Sequence, residues 1–516
     1  MRIPTPRDLG FPEKFDDGWR PKQLEALTML LRSRKRVKAL SMPTGAGKSA
    51  VYVAYALITQ QPTAILTESL GLMAQLMDDF QGVGMVSLMG KRRYPCDLKP
   101  DYTCEDGQTA RCPTRGTVGC PLSAAEFAAA TSSLVVTNYD KWTSSRKFGQ
   151  GMNHFTQAVF DEGHLAPEAL ARAMQVILSA REIEDVLNLD FPTTKDEMVN
   201  WREWAVGARA EAEAYMLSLK AQIAADPKPT WIKTYSHVRN LTRRLATLAT
   251  CRPEHWIVDS IEKGFQFDPV RVGRYAESTL LLRVPSILVV SATLRPKTLF
   301  QIGIAKDLYD YQEFDSDFDP KRCPIYYVPT MRVDKNATDW SPLLIKLDQI
   351  AARRTDRKGL VQTISYANRD KVLDRSRFAP NMIVNQRGEA ATETVELFYD
   401  SKPGTILVSP SIGTGYDFAG KRAEWQFVFK IPFPDSRSKI VRARQEDDKE
   451  YGPYMAVNKL TQIFGRIMRF KQDQGESFIG DMHLDWFLPR WRHLFPKSFH
   501  GFFKQVDIVP PPPPKL

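Results

Sequence analysis

Ala39-Leu40-Ser41-Met42-Pro43-Thr44-Gly45-Ala46-Gly47-Lys48-Ser49-Ala50 decides the fold of this chain. A short apolar run leads into a glycine loop, then a lysine, a serine and a helical pattern over Ala50–Thr59. Strand, loop and helix in that order make a phosphate-binding loop. Glycines let backbone N–H groups close on phosphates, and the helix N-terminus adds partial positive charge. Thr44, Gly45 and Gly47 are expected to line the nucleotide, Lys48 to reach its β- and γ-phosphates, and Ser49 to hold Mg²⁺. A glycine turn before a helix is the plain alternative, and it leaves the lysine and serine unexplained.

Outward from this loop, nearly continuous apolar runs recur at Ala64–Thr67, Leu134–Thr137, Ala158–Phe160 and Ile287–Val290. A second series follows at Gly359–Thr363, Met382–Val384, Thr405–Val408, Gln426–Ile431 and Phe478–Ile479. Such runs read as strands buried on both faces of a parallel sheet, so two α/β units are expected. Two insertions interrupt the first. One, about 90–121, is rich in Pro, Gly, Thr and charge. The other, about 166–284, reads as mostly helical, with Val206–Ala225 dense in helix formers. Tyr309–Pro320 reads as a link between the units, and Pro510–Pro514 as an exposed polyproline tail.

The 516 residues exceed what one core usually supports. Hydrophobic residues at 43% and charged residues at 25% fit a globular protein, and the +11 net charge suits a polyanion partner or simply a solvated surface. No 18-residue apolar window or apolar leader is present, so an intracellular protein without a membrane partner is expected. Four of the six cysteines, Cys96, Cys104, Cys112 and Cys120, fall evenly in the first insertion. In a reducing compartment that clustering suggests metal or cofactor ligation more than disulfides. Zn²⁺ and a [4Fe–4S] cluster both take four thiolates. The absence of close cysteine pairs favours the cluster, whose irons are separate attachment points.

Two further groups carry chemistry. Asp161-Glu162-Gly163-His164 ends the run Ala158-Val159-Phe160. Adjacent carboxylates leaving an apolar strand are costly unless a cation or water uses them. Asp161 is expected to hold Mg²⁺, Glu162 to orient the attacking water, and His164 to couple the nucleotide to other motifs. In Gln462-Ile463-Phe464-Gly465-Arg466-Ile467-Met468-Arg469, helical spacing puts Gln462, Arg466 and Arg469 on one face. An arginine reaching the γ-phosphate from a second unit would stabilise transition-state charge.

In order along the chain, the sequence resembles superfamily 2 helicases. The order is Trp19-Arg20-Pro21-Lys22-Gln23, the phosphate loop, Thr67-Glu68-Ser69-Leu70 with Gln75, and Asp-Glu-Gly-His. Then come Ser291-Ala292-Thr293-Leu294, Ser411-Ile412-Gly413-Thr414-Gly415-Tyr416-Asp417 and Gln462 through Arg469. The cysteines, Gly90-Lys91-Arg92-Arg93-Tyr94-Pro95-Cys96 and Thr137-Asn138-Tyr139 narrow the resemblance to the XPD/DinG family of iron–sulfur helicases. Gly163 departs from the family's usual alanine, the seven-residue gaps between cysteines are unusual, and the chain is short. Its compactness suggests a viral or minimal prokaryotic member, with no nuclease domain before the motor.

The resemblance implies an α/β fold of two RecA-like motor domains. It places the first motor in 1–89, 133–165 and 285–300, an iron–sulfur domain in 90–132, an arch-like domain in 166–284, and the second motor in 301–516. It implies ATP as substrate, and Arg20, Gln23, Gly415 and Asp417 as further nucleotide-site residues. It also implies a [4Fe–4S] cluster on the four cysteines, 5′→3′ movement on single-stranded DNA, and the opening of tailed or forked duplexes or RNA–DNA hybrids by a monomer. Lys91-Arg92-Arg93-Tyr94 is a candidate backbone contact. The alternatives are a translocase that does not unwind and a DNA-binding scaffold with a dead ATP site.

Overall fold

The computed structural model describes residues 2–15, 17–147, 152, 154–316, 319–334, 337–387, 391–412, 416, 418, 420–468 and 473–514. Strands β1 (Val37–Ser41), β2 (Thr63–Thr67), β3 (Val86–Leu88), β4 (Leu134–Asn138) and β5 (Gln157–Phe160) come first. The second insertion contributes β6 (Val176–Ser179), β7 (Trp256–Ile261) and β8 (Gly264–Pro269). Then follow β9 (Ser286–Ser291) and β10 (Tyr309–Glu313). These make one parallel seven-stranded sheet, β10-β1-β9-β5-β2-β4-β3, and an antiparallel three-stranded one, β6-β8-β7.

The second unit holds β11 (Ile325–Met331), β12 (Gly359–Gln362), β13 (Met382–Val384), β14 (Ile406–Ser409), β15 (Trp425–Val428), β16 (Glu476–Asp481) and β17 (Phe503–Gln505). They form a second parallel sheet, β13-β14-β12-β15-β16-β11-β17. The α/β fold with two RecA-like sheets is therefore present.

Every residue of β1, β2 and β9 is buried, because helices cover both faces of the first sheet. The two-residue side-chain period sorts these strands between two cores. Ala39, Leu66, Phe160 and Val289 face one; Leu40, Ile65, Val159 and Leu288 face the other. The first core runs without a break into the second insertion, where Trp201, Leu241, Leu245 and Phe267 belong to it. The insertion is thus rooted in the first α/β unit by apolar packing. Its helices Met198–Ala225 and Pro229–Ala249 bear out the helical reading, but the hairpin β7–β8 with β6 was not foreseen.

Three other expectations need correction. Tyr309–Glu313 is not a free link: it pairs in register with Val37–Ser41 as an edge strand of the first sheet, so that unit runs past residue 300. The strand's aspartate and glutamine, at an edge, hid it from a search for apolar runs. The helix Tyr451–Phe464 stops before Arg466, which lies in a 3₁₀ turn over Gly465–Ile467. Glycine at 465 weakens the helix there, so Gln462 and Arg466 do not share one α-helical face. Finally, the proline tail is tethered. Arg354 Nη2 donates to Pro510 O at 3.2 Å, and Arg353 and Arg357 donate to the carbonyls of Val509 and Pro513. Arg354 also pairs twice, at 2.8 Å, with the buried Glu476 carboxylate.

Candidate functional site: a nucleotide cleft between two motors and a four-thiol lobe

The phosphate loop leaves β1 and enters the helix Lys48–Thr59. Gly45 and Gly47 have φ of 77° and 75°, which side chains disfavour. Gln23 explains why Gly47 in particular must be bare. Its Nε2 donates to Ala46 O at 3.2 Å and Gly47 O at 3.3 Å, and a Cβ on Gly47 would lie 2.2 Å from that nitrogen. Arg20 Nη1 donates to Gly45 O at 2.9 Å, and its backbone N–H donates to Gln23 Oε1 at 3.0 Å. Arg20 and Gln23 therefore brace the loop itself.

Sheet order brings the candidate groups together. β9 lies between β1 and β5, so Ser291 at its end sits beside Asp161 and Glu162 at the end of β5. Ser291 Oγ donates to Glu162 Oε2 at 3.1 Å and lies 2.6 Å from His164 Nδ1. The other nitrogen of His164, Nε2, is hydrogen-bonded to Gln462 Nε2 from the second motor. One chain of contacts thus crosses the cleft: Glu162, Ser291, His164, Gln462. Sequence order gave no sign that Ser291 would stand between the two carboxylate-bearing and histidine-bearing groups.

The carboxylates are electrostatically distinct. Burial and the neighbouring Glu162 raise Asp161 to about 7, despite Lys48. Burial also opposes Glu162, but Lys48, His164 and Ser291 overcome it and hold that carboxyl far below its ordinary range. Glu162 is further held at φ 47°, ψ 44°, a left-handed conformation that costs a non-glycine residue about 1–3 kcal/mol. Gly163 faces Val289 so closely that a Cβ would lie 2.4 Å from Val289 Cγ1. A buried Asp161 beside a second carboxylate suits a dication, which would relieve both burial and repulsion; Ser49 and Asp161 are the residues that would hold it.

Arg466 Nη1 donates to Tyr416 O at 2.7 Å. Gly415, Asp417 and Arg469 lie outside the described residues, as do Gly413 and Thr414.

The four cysteines converge into one small buried cluster with Tyr94, Tyr102 and Leu122, and all are unbridged thiols. Backbone bonds set them there: Cys96 N to Tyr102 O and Cys104 N to Tyr94 O, both 2.9 Å, and Cys112 N to Gly107 O, 2.8 Å. Cys104 starts a short helix, Cys104–Thr109, capped by Thr103 and Asp106, and Cys120 precedes the helix Pro121–Thr131. Cys96 interacts with Cys112, and Cys104 with Cys120. Burial pushes the Cys104 thiol up to about 11, whereas the Thr114 hydroxyl beside Cys112 lowers that thiol. A Cβ on Gly107 would lie 2.2 Å from Cys96 Sγ, so glycine there keeps the space the thiols occupy. Among the described residues no group of three His, Cys, Asp or Glu side chains is set around a single metal ion. The donor set is four buried thiols in one lobe, a set that either Zn²⁺ or a [4Fe–4S] cluster can use.

This lobe touches the arch-like insertion. Arg239 Nη2 donates to Glu105 Oε1 at 3.2 Å, and Thr109 Oγ1 meets Ser236 Oγ at 3.2 Å. Cations gather where lobe, insertion and first motor meet. Burial, then Arg115, Lys141 and Arg239, lower Lys91 to about 8. Burial also lowers Lys141, and burial with Arg239 lowers Arg243. Of the run proposed as a backbone contact, Lys91 joins this cluster. Arg92 instead pairs with Glu105, and Tyr94 packs against the thiols.

Comparison with known proteins agrees with this construction. A helicase C-terminal domain model matches residues 351–502, and the model of the type III restriction enzyme res subunit matches 17–194. Together the two matches support a helicase-type nucleic-acid motor. Among solved structures it is similar to an XPD helicase at TM-score 0.67, with 14% identity, covering 95% of this chain and 99% of that one. An apo XPD gives 0.63 at 14% identity, covering 94% and 100%, and Xpd4 of S. tokodaii gives 0.61 at 13%, also covering 94% and 100%. The fold is therefore that of an XPD/DinG-like helicase. No curated protein matches the sequence. Among the described residues no helix is long and apolar enough to cross a membrane.

Proposed function

We propose that this chain is an intracellular, ATP-dependent DNA helicase that moves 5′→3′ on single-stranded DNA as a monomer and opens tailed or forked duplexes. The observation that carries the motor reading is the contact chain Glu162–Ser291–His164–Gln462, because it links the water-orienting carboxylate of one motor to the other motor. ATP would lie on the Gly45–Ser49 loop, with Mg²⁺ held by Ser49 and Asp161 neutralising phosphate charge. Lys48 would reach the terminal phosphates. Glu162, ionised, would accept a hydrogen bond from the attacking water and orient it. Arg466 and, by the resemblance, Arg469 would counter transition-state charge, and Gly415 and Asp417 would complete the nucleotide site.

Cys96, Cys104, Cys112 and Cys120 would hold a [4Fe–4S] cluster, which would cross-link the lobe into a rigid wedge. The half-buried Lys91 and the buried Lys141 favour an anionic occupant beside that wedge, and a sugar-phosphate backbone supplies one. RNA–DNA hybrids would be read the same way, through the tracked strand. An ATP-driven translocase without unwinding is the second reading, since the cleft chemistry is identical in both.

Two oligonucleotide duplexes that differ only in tail polarity decide the matter. The 5′-tailed duplex is expected to open with ATP and the 3′-tailed one to stay closed. Opening of the 3′-tailed duplex would overturn the polarity, and ATPase without opening of either would leave the translocase.

A further inference from the structure

The second motor is held by the first in a place remote from the nucleotide. Its helix Lys439–Asp447 has Ser438 at the N-cap position, yet Ser438 caps nothing within its own unit. Instead Asp259, on β7 of the arch-like insertion, does so from across the interface. Its Oδ2 accepts from Lys439 N at 2.7 Å and from Ser438 Oγ at 3.0 Å. The other end of the same helix is held too. Arg271, just past β8, donates from Nε to both carboxylate oxygens of Asp447 at 2.8 and 2.7 Å, and Arg444 Nη2 donates to Pro269 O at 3.0 Å. The β7–β8 hairpin therefore grips this nine-residue helix by both ends, while the hairpin itself is rooted in the first motor's apolar core through Trp256, Val258 and Phe267.

The grip continues into the next helix. Asp448 and Glu450 bind Lys297 Nζ at 2.8 and 2.9 Å, and Tyr454, buried, meets Thr298 across the same interface. Tyr454 lies in the first turn of Tyr451–Phe464, and Gln462 in its last. One end of this helix is thus fixed to the first motor, and its other end carries the contact with His164. Eight residues of α-helix separate Tyr454 from Gln462, about 12 Å at 1.5 Å per residue. A rotation of roughly 15° about the fixed end moves Gln462 by about 3 Å, enough to break a hydrogen bond of about 2.9 Å.

We propose that this interface is the pivot on which the second motor turns, with Asp259 as a positioning residue for the motor cycle. The arch-like insertion then has two duties: it borders the cysteine lobe with its long helices, and it bears the second motor with its hairpin. The contacts at the pivot persist through the cycle, whereas the Gln462–His164 contact forms and breaks. The proposal rests on the motor reading above, not on strand polarity or on the identity of the nucleic acid.

A reversible staple tests it. In the full-length protein, Asp259→Cys combined with Ser438→Cys puts two thiols where carboxylate and hydroxyl are 3.0 Å apart. The wild type taken through the same mild oxidation and re-reduction is the control. A pivot predicts that the stapled protein keeps single-strand-stimulated ATPase within about twofold of its reduced form, since the joined elements never part. Loss of turnover on oxidation, restored by reductant, would show that the contact must open and would overturn the pivot. A second variant, Asp259→Ala with Arg271→Ala, frees the helix. It is expected to keep its melting temperature within a few degrees yet to raise the KM for ATP about tenfold, whereas Asp259→Asn alone, which keeps an acceptor for Lys439 N–H, stays near the wild-type KM. Unchanged KM in the freed variant would equally overturn the proposal. If the wild type hydrolyses no ATP with any single strand, the motor reading itself has failed, a result these variants cannot mimic.

Discussion

Gln462 Nε2 and His164 Nε2 are hydrogen-bonded across the cleft, one from each motor. The other nitrogen of His164 lies against Ser291 Oγ, and Ser291 donates to Glu162. The position of the second unit is thereby linked to Glu162, the carboxylate proposed to orient water. Gln462→Ala is expected to lower nucleic-acid-stimulated ATPase by about tenfold, the worth of one hydrogen bond to a polarised partner. Unstimulated turnover should change much less. Equal losses with and without nucleic acid would show that Gln462 serves the chemistry directly.

Lys48 and Glu162 should separate binding from hydrolysis. Lys48→Ala, and likewise Arg466→Ala, is expected to cut turnover by on the order of 10³-fold or more. Glu162→Gln keeps shape and removes charge, so it should still bind ATP while hydrolysing poorly. Equilibrium nucleotide binding by fluorescence, beside steady-state turnover, checks this. Loss of binding in Glu162→Gln would make that residue a structural or metal-holding group.

The cysteine lobe should matter to strand separation more than to ATP. Gly107→Ala places a methyl 2.2 Å from where Cys96 Sγ now sits, and Cys104→Ser removes one proposed ligand. Both are expected to lose visible absorbance and iron while retaining much of their ATPase. Iron, sulfide and zinc analysis of anaerobically purified protein is the readout. A colourless wild type with stoichiometric zinc would exclude the cluster.

Lys91 should show a cost to folding. Its folded value, about 8, lies below the ordinary 10.5. The charged form is therefore disfavoured in the folded state at pH 7, and the cost is relieved as pH rises through 8 towards 10.5, where the unfolded chain holds the extra proton. Lys91→Met is expected to raise the melting temperature at pH 7 by roughly 2–4 °C, and by less at pH 9. The same variant should bind single strands more weakly and lower the slope of log affinity against log salt by roughly 0.7. Equal melting at both pH values, or unaltered salt dependence, would show Lys91 to be an ordinary surface lysine.

Much of this was legible in the chain. Strands buried on both faces announce themselves as unbroken apolar runs, and so β1, β2, β4, β5 and β9 could be read directly. Strands with a face or edge open could not: β10 carries Asp310, Gln312 and Glu313, and β17 is Phe-Lys-Gln. The β7–β8 hairpin was hidden for another reason, since its Asp259 serves a helix 180 positions later in the chain. The phosphate loop and the Asp-Glu pair are local motifs and carry their geometry with them. The role of Ser291 exists only through strand order, and the convergence of four cysteines eight positions apart depends on turns and a short helix that their spacing does not encode.

The placement of β1 has a consequence for how the protein is made. The strand that carries the phosphate loop is flanked by β9 and β10, its partners from about 250 and 270 positions further on. At roughly 5–20 residues per second, a nascent chain holds β1 unpaired on both edges for something like 10–50 s. A strand destined for burial on both faces, with two open edges, is a template for intermolecular pairing. Yield of active protein should therefore depend on synthesis temperature and on holdase chaperones more steeply than the stability of the finished fold would suggest, and the four-thiol lobe, complete by residue 131, is in place before the motor that carries it.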